Sequence, residues 1–135
     1  VSIDRPDHSW QQHDKMIAHV KSIVEELELP YRILRLCGGD LSFTSAMTYD
    51  FEVFSAAQER WLEVSSVSNF ESYQANRLMC RYRDPEEGIT LCHTLNGSAL
   101  ALPRIVAALL ENNQTPEGII IPKALRPYTG FDKID

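Results

Sequence analysis

His93-Thr94-Leu95-Asn96-Gly97-Ser98-Ala99-Leu100-Ala101-Leu102-Pro103-Arg104 is the stretch whose reading decides the fold. It opens as a strand, turns at Gly97-Ser98 and runs into an apolar segment that continues to Asn113. That segment carries Leu100, Leu102, Ile105, Val106, Leu109 and Leu110 almost all round, which predicts a helix over Ala99–Asn113 buried against a sheet. Pro103 falls in the first turn, where its missing N–H costs little. Arg104 is the one charge in that turn, and a charge on an apolar helix is costly without a partner. Two readings are open. An anionic ligand at the helix N-terminus would supply the partner, aided by the helix dipole. Alternatively the guanidinium snorkels to solvent, and the residues alone favour this second reading.

Working outward, the neighbouring segments supply the sheet. Thr48–Phe54 alternates Tyr49, Phe51 and Val53 with Asp50 and Glu52, and Trp61–Val67 is a second such strand joined to it through Ala56–Glu59. Tyr31–Cys37 also reads as a strand, followed by a turn at Gly38-Gly39-Asp40. Met79–Tyr82 and Ile89–Leu95 form two more, with a turn at Asp84–Gly88 between them, and Ile119–Ile121 is a short last strand. Val1–Ile3 is an extended stub. Met16, Val20, Ile23, Val24 and Leu27 lie at helical spacing, so a helix is expected over Ser9–Glu28, ended by Pro30. A short helix is expected within Asn69–Leu78 and a helical turn at Lys123–Leu125. Strands close in sequence with short connections favour an antiparallel sheet, and the helices make the class α+β: an antiparallel β-sheet flanked by helices.

Composition narrows the functional classes. With 135 residues, 44% hydrophobic and 24% charged, the chain has the make-up of one globular domain able to bury a core without staples. The net charge of −6 argues against a general nucleic-acid grip, which depends on a basic surface. No apolar run is long enough to cross a bilayer, and no signal-peptide pattern opens the chain. Cys37, Cys80 and Cys92 are odd in number and far apart in sequence, which suggests neither a zinc site nor a disulfide framework and fits a cytoplasmic protein. His8, His13 and His19 are spaced five and six apart, wrong for a pair of metal ligands on one helical face, and are expected to be solvated.

The His93–Arg104 stretch resembles motif 3 of class II aminoacyl-tRNA synthetases, in the form used by seryl-tRNA synthetases. The resemblance extends through Pro30-Tyr31-Arg32, Gly39-Asp40, Thr48–Val53, Glu63–Asn69, Gln74-Ala75 with Arg77, and Leu125-Arg126-Pro127-Tyr128, in family order and over essentially the whole chain. It implies part of a class II catalytic fold and a parent enzyme that activates L-serine with ATP and transfers it to tRNA(Ser). By position it implies that Arg104 contacts the ATP terminal phosphate, a task suited to a permanently charged, forked group. It places Glu63, Val64, Ser65 and Ser66 at the ATP, with Glu63 and Ser66 on a Mg2+ that bridges the phosphates. It places Asn96 and Ser98 on the substrate serine; two apart, they point the same way in an extended segment. Glu63 and Ser66, three apart, fall on opposite faces of an ideal strand, so the strand must bulge or end near Ser65 if both touch one ion. Thr48, Tyr49, Asp50 and Glu52 are read as floor of the site, structural first, as are Asn69, Gln74 and Arg77.

The resemblance also says what to expect around this chain. Residues 1–135 correspond to the C-terminal portion of the catalytic domain, and Val1-Ser2-Ile3, with no initiator Met, reads like the middle of a strand. Motif 1, motif 2, the glutamate for the serine amino group and the N-terminal tRNA-binding arm are expected upstream. The parent is expected to be a homodimer, and this piece alone is expected not to activate serine. Two alternatives are an amino acid:carrier-protein ligase paralogue, disfavoured because the cysteines do not match its zinc ligands, and an inactive synthetase-derived binding module.

Overall fold

The computed structural model describes Val1–Asp135 throughout. In chain order it holds β1 (Ser2–Asp4), α1 (Ser9–Glu26), β2 (Tyr31–Arg35), β3 (Met47–Ser55), β4 (Arg60–Asn69), α2 (Ser72–Leu78), β5 (Arg81–Asp84), β6 (Gly88–Leu91) and β7 (His93–Gly97). After these come α3 (Leu102–Asn112), β8 (Gln114–Thr115), β9 (Gly118–Ile120), a 3-10 turn at Lys123–Leu125, α4 (Arg126–Thr129) and β10 (Lys133–Ile134). The central sheet is antiparallel with strand order β1-β7-β4-β3-β2. Small sheets, β5-β6 and β10-β9-β8, lie apart from it. The class is the α+β arrangement read from the sequence.

Alternation sorts the two faces of the central sheet. Phe51 and Val53 of β3 and Val64 and Val67 of β4 point to one face, where they meet Val20 and Val24 of α1 and Ile105 and Ala108 of α3. Both helices therefore cover the same side, with all eight of these side chains buried. The other face carries Thr48, Asp50, Glu52, Glu63, Ser66 and Ser68 and is covered by neither of these helices.

Four expectations change in detail. The Ile89–Leu95 strand divides at Cys92: β6 pairs back on β5 while β7 inserts between β1 and β4, so one alternating run serves two sheets. Tyr31–Cys37 leaves the sheet at Arg35. The helix expected from Ala99 starts at Leu102, because Leu100 has φ 101°, incompatible with a helical turn. It is also buried on one side only; Leu102 and Val106 are 71% and 51% exposed, since the sheet covers just the Ile105–Ala108 stripe.

His13 corrects the expectation of solvated histidines. It is 1% exposed, with Nε2 3.0 Å from the Val67 carbonyl oxygen and its ring against Tyr49. A helix lying on a sheet turns its inward residues onto backbone groups, and the imidazole satisfies one of them. Ser9, Asn69 and His93 form a second buried link between α1 and the sheet: Asn69 Nδ2 donates to Ser9 Oγ at 3.3 Å, and Ser9 Oγ lies 2.8 Å from His93 Nδ1. Thr94 Oγ1 donates to Gln74 Oε1 at 2.8 Å, and Arg77 stacks over the Tyr73 ring at 3.6 Å. Asn69 and Gln74 thus link neighbouring elements, whereas Arg77 packs within α2.

Candidate active site

The bulge required by the Glu63–Ser66 spacing is present. Phe51 pairs with Ser65 and Glu52 pairs with Glu63, so Val64 is an extra residue in β4. Consecutive Val64 and Ser65 are both buried, which strict alternation forbids. One inserted residue cancels the odd spacing. Residues directly opposite share a face, so Glu63 stands with Glu52, and Ser66 with Asp50, on the side away from the helices. Ser68 pairs with both Thr48 and Asn96, which brings Asn96 of β7 to the same face.

All of these but Glu52 line one cleft of about 550 Å³, with Asp50, Glu63, Ser66, Ser68, Asn96 and also Ser98 on its wall. The expected metal-side pair and the expected serine-side pair therefore share a cleft. Val64 and Ser65 do not project into it: Val64 is core, and the Ser65 hydroxyl donates to the Ser98 carbonyl at 2.5 Å. Any contact they make with a ligand in the cleft is through backbone.

Arg104 is placed by the departure of β7. The β4–β7 pairing ends at Val67–Gly97, and beyond it the chain runs beside the open edge of β4. There the Ala101 N–H donates to the Val64 carbonyl at 2.6 Å, and Arg104 Nη1 donates to the Glu63 carbonyl at 2.5 Å. The guanidinium is exposed, as the snorkelling reading requires, yet moored to the backbone of a cleft residue. Four of its five N–H donors stay free of protein acceptors, so it can hold an anion at the rim.

Asp50 is the site feature that sequence reasoning underweighted. Its Oδ1 is buried with no hydrogen-bond partner. Burial holds its carboxyl above the usual carboxylate range, opposed by a hydrogen bond from Ser66 and reinforced by Glu52 and Asp40. The signal available in sequence was its place on the polar side of the alternation, opposite Ser66.

No group of three or more His, Cys, Asp or Glu is arranged to hold an ion unaided. Magnesium takes few carboxylates and completes its octahedron with phosphate oxygens and water. Glu63 and Ser66 on one face, with a partnerless carboxylate oxygen at Asp50, fit an ion that arrives with a phosphate ligand. They do not fit a resident metal.

Two other places hold reactive groups. A cleft of about 470 Å³ runs past Arg5, Asp7, Tyr82, Asp84 and Glu86, and its one cation, Arg5, is spent on Asp7 and Asp84, Nη2 reaching Asp84 at 3.1 Å. Cys80 and Cys92 are neighbours in space though distant in sequence; the Cys92 N–H donates to the Cys80 carbonyl at 3.2 Å, and burial next to Cys80 raises the Cys92 thiol pKa. No helix is long and apolar enough to cross a membrane.

A family model described as the class II tRNA synthetase core domain (G, H, P, S and T) matches residues 1–113. The serine–tRNA ligase of Salinibacter ruber is 60% identical over 136 residues, covering 99% of this chain and 32% of the relative. That of Acidithiobacillus ferrooxidans is 53% identical over 131 residues, covering 96% and 31%. The chain spans about a third of the length of these relatives. Among solved structures, a seryl-tRNA synthetase from Pyrococcus horikoshii complexed with ATP superposes with TM-score 0.92 at 40% identity, covering 98% of this chain and 31% of that one. The cytoplasmic serine–tRNA ligase of Naegleria fowleri in complex with AMP gives 0.88 at 32% identity, over 97% and 32%.

Proposed function

The chain belongs to the class II tRNA synthetase core family, and from that premise we propose that it is the motif 3 portion of a serine–tRNA ligase. The parent protein joins L-serine to ATP, giving seryl-adenylate and pyrophosphate, and then transfers the seryl group to tRNA(Ser). The single observation that carries this reading is the bulged β4, which turns Glu63 and Ser66 into the cleft shared with Asn96 and Ser98. The identity to serine–tRNA ligases supports the choice of amino acid.

In this reading each residue acts by position. Arg104 holds the terminal phosphate of ATP from the cleft rim, leaving the α-phosphate exposed to the serine carboxylate. Glu63 and Ser66 would hold Mg2+, which when bound would supply charge neutralisation at the phosphates. Val64 and Ser65 contribute backbone at the nucleotide. Asn96 and Ser98 pair with the serine hydroxyl; bound alanine would cover them without supplying a partner, a loss large enough to reject it. Fixing both reactants gives the rate advantage of proximity, and fixed charges aimed at the phosphates lower the barrier further. Contact with tRNA, the subunit interface of a homodimer and the partner residues on the α-phosphate belong to the rest of the parent, a cytoplasmic enzyme with no membrane step.

Serine-dependent ATP–pyrophosphate exchange in the parent tests this. Arg104→Lys is expected to lower exchange about 10- to 100-fold, the loss of one charge-assisted hydrogen bond of about 1.5–3 kcal/mol. Exchange driven equally by alanine, or an Arg104→Lys enzyme of wild-type rate, would refute it. The isolated chain is expected to show none.

A further inference from the structure

The polar face of the sheet carries three carboxylates on β3 and β4, and they are not equivalent. Glu52 is ion-paired to Arg32, its cross-strand neighbour on β2. Glu63 is exposed at the cleft. Asp50 lies between Thr48 and Glu52 along β3 and directly opposite Ser66. The buried hydroxyls beside it are paired: Thr48 Oγ1 lies 2.7 Å from Ser68 Oγ and 2.8 Å from Ser45 Oγ. The buried Oδ1 of Asp50 has no such partner.

A fold keeps a partnerless buried carboxylate oxygen only against a cost. An isosteric Asn would remove the charge without changing the packing. Ser66 stands directly across the β3–β4 pair from Asp50, in the same cleft. A hydroxyl that gives its one proton to such a carboxyl keeps its lone pairs for something else, and in this cleft they are free to face an ion.

We propose that Asp50 is the positioning carboxylate of the divalent-cation site: it orients the Ser66 hydroxyl toward the ion and accepts, on its unpaired Oδ1, a hydrogen bond from one water of the ion's shell. The assignment rests on the cation role proposed above for Glu63 and Ser66. Magnesium retains several waters when it binds with phosphate, and carboxylates that hold such waters or ligands tune affinity without touching the ion.

The test uses the full-length parent, with Mn2+ as the probe ion and electron paramagnetic resonance to count free Mn2+ in the presence of ATP. Asp50→Asn is expected to weaken Mn2+ binding about 10- to 100-fold, with metal-free ATP binding unchanged and the melting temperature not lowered. Added to Ser66→Ala, it is expected to cost less than the sum of the two single changes, because both act through one hydroxyl. Asp50→Glu, which restores the charge one methylene further out, is expected to recover part of the affinity that Asp50→Asn loses. A purely structural role would not give that recovery. Asp50→Asn affinity within about twofold of wild type, below any change expected of such a group, or no recovery with Asp50→Glu, overturns the assignment. Glu63→Ala in the same titration separates the two levels: if it weakens Mn2+ while Asp50→Asn does not, only the role of Asp50 fails. If neither does, the cation site itself is wrong.

Discussion

Gly97 is where one methyl group would reach both halves of the cleft. Its Cα lies opposite Val67 in the β4–β7 pair, and a Cβ there would sit 3.0 Å from Val67 Cγ2, 3.1 Å from the Ser66 carbonyl oxygen and 3.2 Å from Val67 Cα. Two of these neighbours are backbone, and Val67 is fully buried among the core side chains, so it has no empty space to rotate into. Ordinary carbon contacts lie at about 3.5–4.0 Å, so Gly97→Ala must move β7 and β4 apart by roughly 0.5 Å. Overpacking of this kind costs about 1–3 kcal/mol. The displacement also has a direction. Asn96 and Ser98 flank Gly97, and Ser66 adjoins Val67, so the serine-side and cation-side groups separate. A misplacement of 1 Å is worth about 100-fold in rate, and half of that about tenfold. Serine-dependent pyrophosphate exchange by the Gly97→Ala parent is therefore expected to show kcat/KM lower by about one order of magnitude. Urea unfolding should show the stability loss at an unchanged m-value. Wild-type kinetics and wild-type stability together would refute the claim that close strand approach is what sets this cleft.

Two further outcomes follow from contacts far from the cleft. Glu111 of α3 accepts the Ser55 hydroxyl at 2.5 Å and the Ala57 N–H at 3.3 Å, tying the helix end to the β3–β4 hairpin. Glu111→Ala leaves buried Ser55 short of a partner and is expected to cost about 1–3 kcal/mol in urea unfolding, with exchange kinetics unchanged. Asp84 is held below the usual carboxylate range, first by the Glu86 and Glu87 N–H groups of the β5–β6 turn and to a lesser extent by Arg5. A depressed folded value means that its stabilisation is present above the unfolded value and is lost as pH falls through the folded one. The stability gap between wild type and Asp84→Ala should therefore be widest at neutral pH and narrow in acid. A gap with no pH dependence would contradict this account.

Much of this architecture is written in local pattern. The alternation over Thr48–Phe54 gave β3, its two faces and the core side chains Phe51 and Val53, because a strand's period of two is insensitive to what surrounds it. The bulge was legible for a different reason: it was demanded by the chemistry expected of Glu63 and Ser66, and strict alternation could not meet that demand. What sequence could not supply depends on tertiary company. Ile89–Leu95 reads as one strand, and only the competition between β5 and the central sheet divides it at Cys92. His13 looked solvated because nothing in its own helix reveals that a β4 carbonyl lies beneath it. The one-sided burial of α3 was missed because apolar character does not say which residues a neighbour covers, and Leu102 and Val106 are exposed despite theirs. Asp50 was read as floor because an unpaired oxygen is a property of its neighbours, visible only when they are in place.

The extra residue in β4 has a genetic corollary. Along most of a two-faced strand, in-frame loss of a single codon exchanges inside for outside in everything that follows, and would bring carboxylates into the core. The bulge at Val64-Ser65 is the exception: without either residue, Glu63 and Ser66 would stand two apart and fall on one face, and loss of Ser65 would also leave Val64 in the core. Deletion variants scanned along this strand should therefore show tolerance at the bulge alone, in a run of lethal positions. Homologues that differ in length here would be aligned correctly only by placing the gap at the bulge.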